Sequence, residues 1–280
     1  MPILKLYEQS QQESEQAIND FLKGLEISSE KTFKELFKLI LKDISSKKGR
    51  LVIDDDLINQ VRQYVIDARD KSTYEANVLK FVDSAKDVGR TDIGINKELG
   101  NKVSQRVADR LLNNNGIFTD GLTAGGYEVN VVNRVQTLLY EAMYNNLSVV
   151  ELQGNLEKYF MGQSTNDTGD LVKWAKQTAQ DALYQYTGEL NAGISTELKL
   201  NALFYTPSIL IEGSRPICKH FIDDFTGAIP YDEVLKSLKK AEKDPTGFGA
   251  GMIEGTNTID EFLKNRGGYN CIHKAYPTLL

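Results

Sequence analysis

Phe33, Leu36, Phe37, Ile40, Leu41 and Ile44 recur at i, i+3, i+4, i+7, i+8 and i+11, a spacing that lines one side of an α-helix. An alternating strand would scatter the same six residues over both faces, so this stretch predicts a helix with one buried side. Ser28 or Ser29 is its expected N-cap, and Ser45-Ser46-Lys47-Lys48-Gly49 its expected end. The pattern repeats along the first two hundred residues. Asp54-Asp55-Asp56 places negative charge ahead of Leu57, Val61, Tyr64, Val65 and Ala68, a favourable start for a second helix. Val132, Val135, Leu139, Ala142 and Met143 mark another, stopped by Asn145-Asn146. Ser148 and Glu151 form a capping box before Leu152, Leu156 and Phe160. A long helix follows from Asp170, carrying Leu171, Ala175, Ala179, Ala182 and Tyr186. Between Gly89 and Gly126 the glycines interrupt a helix around Asn101 to Leu112, which marks that region as a hinge.

After residue 200 the pattern changes. Leu203-Phe204-Tyr205 and Ile209-Leu210-Ile211 read as strands interrupted by Pro207. A short helix is expected over Tyr231 to Lys243, a flexible loop over Gly247 to Gly251, and a last helix capped by Thr258 and Glu261 and ended by Gly267-Gly268. Tyr269 to Pro277 reads as strand or loop. The expected fold is mostly α with a small α+β carboxy-terminal module. The expected organisation is an amino-terminal helical region over 1–120, a second helical region over 121–199, and the small module over 200–280.

Composition narrows the function. With 280 residues, 41% hydrophobic and 26% charged, the chain can build a globular core and is neither collagen-like nor a disulfide-stapled miniature. The net charge is −6, and the last 80 residues hold nine basic against ten acidic side chains. No half is basic, so the footprint expected of a dedicated duplex-DNA module is missing. The start of the chain lacks the pattern of a secretory signal, and no run reaches the roughly 18 apolar residues of a membrane helix. A protein without membrane attachment, kept in a reducing compartment, is the expectation; there two cysteines serve as thiols or metal ligands more readily than as a disulfide.

The chain has two cysteines and two histidines, and all four lie in the last module as matched pairs, Cys218-Lys219-His220 and Cys271-Ile272-His273. Two Cys and two His are a common ligand complement for structural zinc. Two such pairs on separate loops would close one site across 53 residues and lend binding free energy to a module with little core of its own. The candidate metal ligands are therefore Cys218, His220, Cys271 and His273, with zinc as the metal. Three other readings of the same residues stay open: buried thiols with incidental histidines, a Cys218–Cys271 disulfide, and Cys218 as a nucleophile with His273 as base. Asp223-Asp224 reads as solvated turn carboxylates ahead of metal ligands or a catalytic pair, and Arg215 as a brace that pairs with one of them ahead of a phosphate contact.

Ser214-Arg215-Pro216-Ile217-Cys218, the Thr-Gly-Ala-Ile-Pro turn around Gly227, the short helix near Tyr231, and Gly267-Gly268-Tyr269-Asn270-Cys271-Ile272-His273-Lys274 together resemble the Mu F-like head morphogenesis proteins, minor capsid proteins of tailed phages. The resemblance covers roughly residues 125 to 280, and Ile272 stands where that family usually has an Arg. It implies a structural protein of the virion head, made in the host cytoplasm. Its implied partners are the portal and other capsid proteins, with weak contact to packaged DNA, and it implies head assembly without turnover chemistry. The rivals are a zinc-dependent nuclease or hydrolase and a DNA-binding adaptor. Residues 1–120 carry no part of the resemblance.

Overall fold

A computed structural model describes residues 2–47, 50–53, 55–114, 116–162, 168–206, 213–269 and 271–280. The fold is mostly α with a small α+β module near the carboxy terminus. In chain order the elements are α1 (Pro2–Asp43), β1 (Ser45–Lys47), β2 (Arg50–Val52), α2 (Asp55–Asp70), α3 (Tyr74–Glu98), α4 (Gln105–Leu112), α5 (Gly116–Leu122), α6 (Ala124–Tyr144), α7 (Val149–Met161), α8 (Asp170–Leu198), β3 (Ala202–Thr206), α9 (Pro216–Asp223), β4 (Ile229–Pro230), α10 (Tyr231–Lys243), α11 (Ile259–Asn265) and β5 (Lys274–Thr278). No helix among the described residues is long and apolar enough to cross a membrane.

The chain forms two compact units that do not follow its linear order: residues 1–17, 83–117 and 180–280 in one, 18–82 and 118–179 in the other. The second unit is helical around an aromatic core. Phe21 packs on Phe81, Phe81 meets Phe118 edge-on, and Tyr74 lies against Tyr127 with ring centroids 4.5 Å apart. The Tyr74 hydroxyl donates to the Leu122 carbonyl at 2.6 Å, so its polar tip is satisfied inside the core.

Two expectations for the helices change. Ser28 and Ser29 do not cap a helix; they lie buried within α1, which runs unbroken from Pro2 to Asp43. The buried stripe continues upstream through Ile18, Phe21 and Leu25. Ser28 Oγ donates back to the Leu25 carbonyl at 3.0 Å, the alternative to capping that serine has inside a helix. Likewise Gly89 and Gly94 sit within α3 rather than breaking it, and the next helix begins at Gln105, capped by Ser104. Where the predicted caps carry complete chemistry they hold: both the Ser148–Glu151 and the Thr258–Glu261 capping boxes are formed.

Besides the two-stranded β1-β2 sheet of the second unit, a three-stranded sheet ordered β4-β3-β5 and antiparallel throughout lies in the first unit. Tyr205 pairs with Ala275 and Thr206 with Lys274, and Pro277 is accommodated because β5 is an edge strand. The Ile209-Leu210-Ile211 expectation lies outside the described residues. Packed on the sheet are Ile217, Phe221, Val234, Leu238, Phe262 and Leu263, from α9, α10 and α11.

Alternation along β5 and the residues before it sends side chains to opposite faces. Cys271 and Ala275 join the apolar core, whereas Lys274 and Tyr276 enter a buried polar belt. Lys274 Nζ lies 3.3 Å from Asp92 Oδ1 and 2.6 Å from Ser10 Oγ, and Tyr276 Oη donates to Asp92 at 2.8 Å. Ser10 also donates to Asp92 at 2.5 Å. Asn96 continues the belt through Asn191 at 2.9 Å and Asn101 at 3.0 Å, and Asn101 donates to the Pro277 carbonyl at 2.8 Å.

Burial also fixes the alkaline behaviour. Desolvation pushes the Tyr184 and Tyr231 phenols up to about 12 and those of Tyr7, Tyr186 and Tyr276 higher still. Their folded pKa values exceed the unfolded value near 10, so their contribution is intact below pH 10 and lost as pH rises through the folded values. Stability is therefore expected to fall steeply above pH 10, with tyrosine ionisation, followed by absorbance, coinciding with loss of helix.

Candidate metal centre

Cys218 is the third residue of α9. The extended backbone of Arg215 and the fixed φ of Pro216 at the first helical position start this helix. The chain around Cys218 is thus helical rather than the loop suggested by its turn-rich approach. A helix turns about 200° over two residues, so Cys218 and His220 face opposite ways. Cys218 points inward and is 1% exposed. His220 points toward α10, where its Nε2 meets Ser237 Oγ at 2.9 Å and its Nδ1 meets Asp224 Oδ2 at 2.5 Å.

Cys271 and His273 lie just ahead of β5, and both side chains reach the same buried group. The second pair therefore stays together while the first is split. Cys218 Sγ and Cys271 Sγ are 3.9 Å apart, and His273 Nδ1 is 3.7 Å from Cys271 Sγ. Cys218, Cys271 and His273 form a buried group that can hold a metal ion, their ligand atoms all within 4.8 Å of one another. Of the four predicted ligands the fold brings these three together and not His220.

Two of the three donor separations, 3.9 Å between the sulfurs and 3.7 Å between Cys271 Sγ and His273 Nδ1, match a tetrahedral ion. Metal–sulfur bonds of about 2.3 Å and metal–nitrogen bonds of about 2.0–2.1 Å put sulfurs about 3.8 Å apart and sulfur and nitrogen about 3.6 Å apart. His273 Nε2 is buried with no hydrogen-bond partner, so the ring is not committed to a network that would hold it away from a metal. The two thiols form a hydrogen bond to one another. The Cys218 S–H donating to Cys271 lowers the Cys271 thiol, with help from His273 and Arg266 against the opposing effect of burial. The same bond, together with burial, raises Cys218.

Three further features hold the group. Arg215 donates to the Tyr269 carbonyl, tying the start of α9 to the segment before Cys271. The expected pairing of Arg215 with Asp223 or Asp224 is thus replaced by a bond to a backbone carbonyl. Tyr205 stacks on His273, ring centroids 5.1 Å apart and planes 12° from parallel. Gly267 provides clearance: a Cβ there would collide with Cys218 Sγ and lie 3.2 Å from Cys271 Sγ. Gly268 has φ +108°, a conformation that only glycine adopts readily. We expect Gly267→Ala to destabilise the module by about 1–3 kcal/mol through overpacking and to weaken metal uptake. Denaturant titration and metal titration of the variant check both effects.

Ser237, His220 and Asp224 have the connectivity of a hydrolase triad, but their setting gives them structural work. Ser237 is 6% exposed within α10, and its hydroxyl donates to the Glu233 carbonyl at 3.0 Å. That proton is spent on the helix, whereas a nucleophilic serine would give it to the histidine. The His220 ring also packs against Phe221, Phe225 and Phe248. The imidazole thus clamps α9 onto α10. Phe248 itself belongs to the loop expected at Gly247 to Gly251, which is built of turns in which the Asp244 carboxylate accepts from the Gly247 and Phe248 amides.

Sequence reasoning missed Tyr205, Arg266 and Gly267. Tyr205 sits in a recognised strand pattern, but nothing in that pattern distinguishes a core tyrosine from one whose hydroxyl meets two sulfurs. The Gly267-Gly268 pair is a signal, since two adjacent glycines ahead of a cysteine imply close backbone approach as well as a helix stop. Comparison of the chain with family models, curated proteins and solved structures finds no significant match.

Proposed function

We propose that this chain is a structural minor head protein of a tailed bacteriophage, acting in head morphogenesis at the portal or head interior, with its carboxy-terminal module closed by zinc. The observation that carries the reading is the meeting of Cys218 and Cys271, 53 residues apart in sequence, at 3.9 Å beside His273. These cysteines belong to the two motifs that resemble the Mu F-like proteins, and their convergence gives those motifs a common physical purpose. Two thiolates and an imidazole suit zinc, and the two thiolates balance its charge. The helical remainder is scaffold and interaction surface for the portal and other capsid proteins.

A hydrolase is the second reading, because three protein ligands with a free fourth position are the pattern of catalytic zinc. Burial favours the structural reading: Cys218, Cys271 and His273 are 1%, 6% and 2% exposed, which leaves little room for a polymeric substrate. Co-expression with portal protein, followed by co-purification, tests the capsid role; stable association is expected, and no association overturns it. Metal-dependent cleavage of duplex DNA that is lost in His273→Ala would replace it with the hydrolase.

A further inference from the structure

Tyr205 Oη stands against both sulfurs, 3.3 Å from Cys218 Sγ and 3.7 Å from Cys271 Sγ. An oxygen ligand about 2.0–2.2 Å from a tetrahedral metal lies about 3.6 Å from each sulfur ligand. The hydroxyl is thus at the distance from both thiols that a fourth corner requires. The ring is fixed there: Tyr205 is 5% exposed, lies in the central strand of the sheet, and is held between His273 and Phe262 with centroids 5.1 and 5.9 Å away. A phenolate beside two thiolates would leave a divalent ion overcompensated by one negative charge, and burying that charge demands a counter-ion. Arg266 is suited to this role. Arg266 is 3% exposed, its Nη1 donates to the Tyr184 carbonyl, and its Nε has no hydrogen-bond partner.

We infer that Tyr205 Oη is the fourth donor of the metal centre, making a closed Cys218–Cys271–His273–Tyr205 site for a divalent ion of zinc's class, with Arg266 as its counter-charge. The inference rests on the metal reading proposed above and goes beyond it, since it removes the open position a hydrolase needs. On loading, an oxygen–metal bond forms at Tyr205, and the phenol proton passes to solvent along with the remaining thiol protons.

The test adds Zn2+ to the full, reduced, metal-free chain and follows two readouts: the near-ultraviolet phenolate difference spectrum, and proton release measured by calorimetry in buffers of different ionisation enthalpy. Wild type is expected to develop the phenolate band, and Tyr205→Phe, which keeps the stacked ring, to bind without it and to release about one proton fewer per metal. Zinc binding by wild type with no phenolate band makes Tyr205 a hydrogen-bond donor to the thiolates; it overturns the inference and leaves the metal reading standing. No zinc binding by wild type defeats both. The wild-type spectrum decides the matter even where Tyr205→Phe fails to fold.

Discussion

Asp92→Ala is expected to cost about 3–5 kcal/mol of stability, because it leaves the Lys274 ammonium, 4% exposed at its side chain, without its partner. At ~2–4 °C per kcal/mol for a chain of this size class, the thermal midpoint drops by roughly 10 °C. Asp92 accepts from Ser10, Tyr276 and Lys274, so its removal also takes away the shared acceptor of two hydroxyls. Lys274→Met should cost less, since the carboxylate keeps both hydroxyl donors and the methionine stem refills the space of the lysine's methylenes. Replacing both, as Asp92→Leu with Lys274→Met, should recover most of the loss, because a buried ion pair gains little over apolar residues of similar volume. Burial already lowers the Lys274 pKa, with Asp92 pulling the other way. The folded state therefore binds this proton less tightly than the unfolded state, and the Lys274 contribution to stability rises with pH toward the ordinary lysine value. Chemical denaturation of the three variants, compared with wild type between pH 6 and pH 9, checks the order and the sign.

Metal removal should have the second large effect, and it should be local. A ligand present at 1,000 times its dissociation constant stabilises the state that binds it by about 4.1 kcal/mol, so chelation of the reduced, loaded protein should withdraw stabilisation of that order. The loss should concentrate where the ligands are anchored: α9, the turn around Gly267, and the start of β5. Hydrogen exchange is expected to accelerate there after chelation and to change little in the helices of residues 18–82, which belong to the other compact unit. Cys271→Ser should reproduce the chelated pattern without chelator, whereas His220→Ala should leave metal content unchanged, because His220 is turned toward Ser237 and Asp224.

The legible part of this fold is the part governed by local rules. The helix over Tyr231 to Lys243 is found where its apolar spacing puts it, and the Thr258–Glu261 box starts α11 as written. Ser28 and Ser29 mislead because a serine's preference for a cap is worth about 1 kcal/mol, less than the burial gained when the stripe of α1 continues through them. The metal centre is half legible. The cysteines and His273 are recognisable from composition and spacing, but whether two residues share a side depends on the conformation between them, and α9 turns His220 away where an extended segment would have kept it. The polar belt leaves no periodic trace at all. Ser10, Asp92 and Lys274 contribute one side chain each from segments up to 264 residues apart, and a single charged residue in an amphipathic pattern looks like any solvated one. Lys274 follows immediately after a recognised motif, yet only the alternation of β5 shows that it faces away from the metal group.

The most direct test of the metal clasp is elemental analysis of the full chain, purified under reducing conditions without added metal or chelator, beside Cys218→Ser and Cys271→Ser. One zinc per chain in wild type, and none in either variant, is the expected result. A metal-free wild type whose Cys218 and Cys271 titrate as two free thiols, or are joined as a disulfide, would contradict it.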